Sequence, residues 1–496
     1  MSGARRLAVF LAIIISLLTL SFYRSHIFAL HFVDEDDNIV IGNYLREGQS
    51  LYSEVFSQHQ PSMFVISSWI QSSLSIDNVL MVIKRHREFM IAWSILWFLI
   101  LTARFGWPLL LSGAVIELAK ISLLGNLFLA ESLVIYPLLY FVAHVFSPRK
   151  NISISEKIIL SLIFWILWYS LTPLWPVLIM LAFVMYVQTA TDKQFHWIFL
   201  AIAGFFLLGL ISTTTIYDYF YNALYINYKY YIPLTTPVGF FESIFKAFFA
   251  PLMAIISPKT GELLILIRIL SVGLIINLAA LVLHKKIIKA ITIVIVLGLT
   301  SLRYIDPGDT LYGVFHMLPW FVLLVIFNFI PFTKIRLHHI VIWLIILISS
   351  LSVASRNLFD YRDPATDFYV HFSPSSDIRE AVKILTQSSP QTIWVEPVSY
   401  YPHWRTGATP YTNMINYYAW MDKTEPMKSD LVAHLKNELP TIVWAETQLG
   451  IGEYLSHYSA IKRDGKPSGL YLRSDKTKEI TPQTRQDLLY YRFEIN

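Results

Sequence analysis

Stretches of about 20 mostly apolar residues, the length that carries an α-helix across a ~30 Å hydrocarbon layer, recur along the first 355 positions of this chain. Inside a bilayer the backbone finds no water to bond, so each such stretch has the helix as its only open conformation. Composition agrees. The 496 residues are 55% hydrophobic and only 15% charged, and the mean hydropathy is +0.52. A soluble chain carries about 25% charged residues. The spans read as 7–28, 88–104, 107–125, 131–146, 155–171, 174–189, 196–215, 262–283, 287–302, 311–330 and 338–355. The expected fold class is a polytopic α-helical membrane protein with about 11 transmembrane helices.

Basic residues set the orientation. With the N-terminus inside, Arg5/Arg6, Arg104, Arg149/Lys150, Lys193, Lys285/Lys286 and Lys334/Arg336 all fall on inner turns. The first span, which no A-x-A site follows, reads as an uncleaved anchor. Residues 29–87, 217–260 and everything from 356 onward then lie outside. The expected placement is a cell membrane of bacterial inner type, crossed many times, with a cytoplasmic N-terminus. The net charge of +5 is scattered over these turns, which argues against a nucleic-acid partner. Cysteine is absent, which excludes disulfides, thiolate metal sites and a cysteine nucleophile.

Two outer stretches stay open. "PSMFVISSWIQSSLSI" (61–76) is apolar but short and interrupted by serines, so it either spans or lies in the outer interface. The basic turns favour the interface, which leaves Lys84, Arg85 and Arg87 outside, against the usual bias. In 217–260, seven tyrosines fall within the first fifteen positions. They suit either an interfacial aromatic belt or the wall of a sugar or headgroup cleft.

Residues 1–355 thus form a membrane domain, and 356–496 read as a small extracytoplasmic α/β domain. "SDIREAVKILTQ" is an amphipathic helix with Ser376 or Asp377 as N-cap. "QTIWVEP" and "PTIVWAE" are strands with the helix "SDLVAHLKNEL" between them, and "SGLYLRS" is a last strand. The tail has no glycine-rich phosphate loop and no H-E-x-x-H.

Directly after the first span stands "HFVDEDDN", with four consecutive carboxylates, Asp34 to Asp37. Crowding and partial burial raise the pKa of such acids, and nearby cations lower it, which is how a general base is tuned. Further on come Gly48, Leu51 and Tyr52 in a turn, then His59-Gln60-Pro61 before an apolar helix. A D-E pair, a G-x-x-[YL]-Y turn and an H-x-P motif in this order resemble the GT-C superfamily. These are membrane glycosyltransferases that use polyprenyl-phosphate sugars, among them the aminoarabinose transferases and protein O-mannosyltransferases. Ser62 stands where the family has a second proline. Arg85 or Arg87 matches an Arg at the mouth of the next span, and Glu131 an acid after the third. "SLTPLWP" echoes a T-[KR]-P turn without its basic residue, and Arg303 with "FHMLPWF" a late Arg and His. The resemblance covers the whole chain through short motifs whose order carries it.

It implies an inverting glycosyltransferase acting on the extracytoplasmic face. Asp34 would be the base and Glu35 its partner. Lys84, Arg85 and Arg303 would hold the donor phosphate, and His59, Glu131 and His316 would line the cleft. The partners implied are a polyprenyl-phosphate sugar donor, a lipid, glycan or protein acceptor, and membrane lipids. No cofactor is required, and a divalent metal on Asp34, Glu35 and His59 is allowed but not favoured. Glu117 and Lys120, at i and i+3, read as a structural ion pair. The alternative is a transporter or flippase of lipid-linked glycans, which shares the outer charges but predicts internal repeats and midplane charges.

Overall fold

In the computed structural model, residues 3–73, 76–147, 152–235, 239–300, 314–330, 337–359, 364–387, 391–396, 399–447 and 449–495 are described. The protein is 73% helical, with a small sheet near its C-terminus. The main helices are α1 Gly3–Ser25, α2 Val33–Arg46, α3 Ser62–Ser72, α4 Val79–Phe105, α5 Trp107–Ala119, α6 Ala130–Phe146, α7 Ile154–Ser170 and α8 Trp175–Thr189. They continue as α9 Lys193–Ile211, α10 Phe240–Ile256, α11 Glu262–Leu283, α12 Ile287–Leu299, α13 Leu318–Phe329, α14 Leu337–Phe359, α15 Ser373–Thr386 and α16 Glu425–Asn437. Among the described residues, five helical stretches are long and apolar enough to cross a membrane: α1, α4, Thr172–Thr189, α9 and α11. Four more apolar stretches are shorter. This is the make-up of a membrane protein.

The chain divides into two compact units. The first comprises residues 1–27, 87–208 and 236–363. Its centre is α13, every residue of which is buried, packed against α5, α6 and α11. Close approach there depends on Gly273, where a Cβ would fall 2.2 Å from the Asn328 amide oxygen. Asn328 donates to the Leu270 carbonyl at 3.0 Å and Asn277 to that of Phe327 at 3.2 Å. Small residues and amide side chains of this kind hold helices together where water is absent. Glu117 and Lys120 form the expected pair, buried at 2.7 Å, with the Tyr23 hydroxyl on the Glu117 carbonyl at 3.0 Å.

The second unit draws on three distant stretches, 28–86, 209–235 and 364–496. Its sheet runs β2-β1-β3-β5-β4-β6, with β1 Gln391–Val395, β2 Ala408–Pro410, β3 Ile442–Trp444, β4 Tyr458–Arg463, β5 Lys466–Arg473 and β6 Phe493–Ile495. β2, β1 and β3 are parallel and the other pairs antiparallel. Successive side chains of a strand point to opposite faces. On one face Ile393, Val395, Ile442 and Trp444 therefore pack with Ile378 and Val382 of α15. On the other, Trp394 and Val443 meet Leu431 and Leu435 of α16, Met414 and Tyr417, together with Phe56 and Ile226 from the other two stretches.

Several expectations are refined. α15 begins at Ser373, preceded by Phe372 with no side-chain cap, so neither Ser376 nor Asp377 is the N-cap. Asp377 lies inside the helix and pairs with Arg463. The strand over "SGLYLRS" is not the last, since β6 adds to the edge of β4. α4 starts well before residue 88, because nothing in "VLMVIKRHRE" interrupts helical bonding, so Lys84 and Arg85 sit on a helix rather than in a loop. α3, at 11 residues, is about 16 Å long and too short to cross a bilayer. The tyrosine-rich stretch forms a π-helix over Tyr219–Tyr231, a conformation that usually appears as single turns at functional sites.

His403 is one of the ties within this second unit. Its Nε2–H donates to the Ile415 carbonyl at 2.7 Å, so Nδ1 is free to accept from the Tyr44 hydroxyl at 3.2 Å. Burial pushes this imidazole down to about 3, against a partial opposing effect of the Ile415 bond. The folded unit keeps it neutral while the unfolded chain takes up a proton below about pH 6.5. The stabilisation is therefore complete above pH ~6.5 and is lost as pH falls toward ~3, at up to about 1.4 kcal/mol per unit. Thermal unfolding measured between pH 7 and pH 4 is expected to fall less steeply in His403→Gln than in the wild type.

Candidate functional site

The acidic run opens α2. Phe32, extended at φ −146° and ψ 136°, precedes the helix, and Asp34, Glu35 and Asp36 occupy its first turn. Free N–H groups and the positive end of the helix dipole favour carboxylates at this position. The acids are nonetheless withdrawn from water: Glu35 and Asp36 are 0% exposed and Asp37 is 4% exposed. Burying such groups is expensive unless partners replace the lost hydration.

Those partners come largely from the tail. One oxygen of Asp36, Oδ2, binds His31 Nε2 at 2.9 Å and accepts from the Ser399 hydroxyl at 3.0 Å. Its other oxygen is buried without a hydrogen-bond partner among the described residues. Asp37 accepts from Tyr400, which in turn accepts from the Tyr418 hydroxyl at 2.9 Å. His59 Nε2 stands 3.8 Å from Asp37 Oδ2. Burial pushes the Asp37 carboxyl well above the usual carboxylate range, the charges of Asp34 and Asp36 add to this, and the Tyr400 bond opposes it. Burial, reinforced by the Asp37 carboxylate, also pushes both phenols up, so they remain neutral donors.

Ser399 and Tyr400 follow the carboxyl end of β1, the end of a parallel strand where α/β folds place their sites. Glu396, fully buried just beyond β1, secures this edge. Its carboxylate accepts the backbone N–H groups of Leu449, Gly450 and Ile451 at 2.6, 2.8 and 2.9 Å, which ties the end of β1 to the loop beyond β3.

The turn after α2 positions His59. Gly48, with φ +91°, ends the helix in the left-handed conformation that a glycine adopts without strain. Tyr52 takes φ +72°, which is costly for a side chain of this size, and its hydroxyl donates to the His59 carbonyl at 2.8 Å. The Tyr219 hydroxyl holds Gln60 Oε1 at 2.9 Å, and Asn227 the Gln58 carbonyl at 2.8 Å, so the π-helix braces the segment around His59. Close packing of α2 on α3 rests on Gly42, where a Cβ would fall 2.3 Å from the Ser67 hydroxyl. Ser67 in turn meets His86 Nε2 at 2.9 Å, and Glu35 acts electrostatically on that imidazole.

Asp34, Glu35, His59, Lys84 and Arg85 all belong to this second unit, with Lys84 half-buried and Arg85 exposed on α4. Glu131, buried in the first turn of α6, and His316, its ring tilted against that of Phe315 with centroids 4.0 Å apart, belong to the first. Arg303 lies outside the described residues. Among the described residues no group of three or more His, Asp and Glu side chains is arranged to hold a metal ion. The sequence reading passed over His31, Ser399, Tyr400 and Tyr418. Asp36 and Ser399 stand 363 positions apart, and no local pattern marks such a pair.

The Tyr400 bond favours the ionised form of Asp37, so its removal moves the carboxyl further upward. Infrared difference spectra of Tyr400→Phe are expected to show the protonated-carboxyl band persisting to higher pH than in the wild type, and Asp37→Asn to lose that band. An unchanged titration in Tyr400→Phe would separate the two side chains.

No family model matches this chain, and neither a curated protein nor a solved structure matches it.

Proposed function

We propose that the protein is an inverting GT-C-like glycosyltransferase that moves a sugar from a polyprenyl-phosphate donor to a lipid, glycan or protein acceptor on the extracytoplasmic face. The observation that carries this reading is the set of buried carboxylates at the start of α2, held in one unit with His59 and with the cations Lys84 and Arg85. A polyprenyl phosphate leaves as a stable anion and needs no protein acid. The transfer needs instead a carboxylate to take the acceptor proton and cations beside the departing oxygens.

In this scheme the acceptor hydroxyl attacks the anomeric carbon and forms the new C–O bond. The bond to phosphate breaks, its electron pair stays on the phosphate oxygen, and the hydroxyl proton passes to Asp34. Glu35 holds the base in place. Burial and the charges of Asp34 and Asp36 raise the Asp37 carboxyl, the direction that eases like-charge repulsion on Asp34. Lys84 and Arg85 attract the phosphate, guanidinium being suited to its oxygens. His59, 3.8 Å from Asp37, belongs to the same acidic group. Neighbouring acids also screen positive charge developing at the anomeric carbon.

The test is transfer of radiolabelled sugar from a polyprenyl phosphate by purified protein, with acceptor present. Asp34→Asn is expected to lose about 10²–10⁴-fold in rate, the span of a general base, with donor binding retained. Undiminished turnover would remove Asp34 from the role. Movement of intact lipid-linked sugar across sealed vesicles without transfer would instead favour the transport reading.

A further inference from the structure

Helix α10 follows directly on the tyrosine-rich stretch, and its two faces differ sharply. Ser243, Ala247, Ala250 and Ala254 form a buried stripe, and the helix packs against α11 and α12. A Cβ at Gly298 of α12 would fall 2.4 Å from the Phe248 ring. The opposite face carries Phe241, Phe245, Phe249, Leu252 and Ile256, all exposed, at the spacing of a single helical stripe. Small residues inward and large apolar residues outward describe a helix seated in lipid.

Whether it crosses is decided by the path of the chain. Residues 28–86, 209–235 and 364–496 form one compact unit, and Phe56, Ile226 and Trp394 share one hydrophobic core. A core cannot be assembled through a bilayer, so all three stretches lie on the same side. Between residues 236 and 363 the chain therefore crosses an even number of times. Five principal helices, α10 to α14, occupy that interval among the described residues. They cannot all cross.

Charge indicates which one turns back. Arg5 and Arg6 precede α1, and the positive-inside rule then puts residues 28–86 outside, and residues 209–235 with them. Lys285 and Lys286 follow α11, with Lys289 close behind, so the end of α11 lies inside. α11 has 22 residues and is strongly apolar, long enough to cross. Its start is therefore outside, as is residue 239, and α10 has both ends on that side. From the inner end of α11 an odd number of crossings returns the chain outside before residue 364.

The end of α10 is built for such a position. Arg268 of α11 donates to the carbonyls of Ala254 at 3.0 Å and Lys259 at 2.8 Å, and also to that of Ser257. A guanidinium at a helix C-terminus satisfies its orphan carbonyls and complements its dipole.

We infer that α10 enters the outer leaflet and returns to the outer side without crossing, so that its Phe241–Ile256 stripe is a contact surface for the acyl chains of that leaflet alone. This holds whatever reaction the acidic unit performs.

The absence of cysteine makes the test direct, because single cysteines report their own side. Lys259→Cys lies in the exposed turn after α10, Lys285→Cys in the turn after α11, and Lys428→Cys on the exposed side of α16. In sealed cells treated with a membrane-impermeant maleimide, Lys259→Cys is expected to label as fully as Lys428→Cys. Lys285→Cys should stay unlabelled until the membrane is opened. Labelling of all three in detergent confirms that each thiol is reachable. If Lys259→Cys labels only after opening, α10 crosses and the inference falls. It falls equally if Lys285→Cys labels in sealed cells. Thr260→Cys, also exposed, repeats the first measurement at an independent position.

Discussion

Withdrawing adjacent carboxylates from water is the constraint around which the second unit is organised. A helix start eases part of the burden, since its free N–H groups and dipole face the acids. The remainder requires donors that α2 cannot supply itself, and His31, Ser399 and Tyr400 provide them. Two of these donors stand more than 350 positions further along the chain. The acidic helix and the tail consequently belong to one structure, and neither has its full set of polar partners without the other.

The same dependence explains the ties that surround the acids. Asp77 accepts from Arg379 and Lys383, both at 2.8 Å, Trp404 donates to Gln71 at 2.9 Å, and the Phe56 amide reaches the Asn413 carbonyl at 2.8 Å. The solvent-open pair of Asp77 with Lys383 contributes little by itself, whereas the Arg379 partner of Asp77 is buried. Buried hydrogen bonds such as Trp404 to Gln71 matter more, because an unmade one leaves a desolvated group behind. Together they hold the tail to α3 and the segments on either side of it, and a site that must place a carboxylate accurately needs a rigid surround of this kind.

The membrane unit follows a different logic. Hydrophobic burial does not distinguish a neighbouring helix from lipid, so its helices associate through close contact and a few amide or ionic links. Gly273 against Asn328 and Glu117 with Lys120 are examples. The large exposed apolar side chains on α8, α9 and α10 need no other explanation than lipid contact.

The chain alone determined its class, because hydropathy is a sum over neighbouring residues and a bilayer imposes one length on the result. It also marked the acidic run at the end of the first span, the Glu117–Lys120 pair, and the strands around residues 391–395 and 442–444, each a local pattern. It placed Ser376 or Asp377 at a helix start and ended the strands too early, since caps and edge strands depend on what packs beside them. The early start of α4, the π-helix and the partners of Asp36 and Asp37 belong to the tertiary structure alone. Hydrogen bonds between residues hundreds of positions apart leave no trace in any window of sequence, and only the folded chain brings those groups within reach.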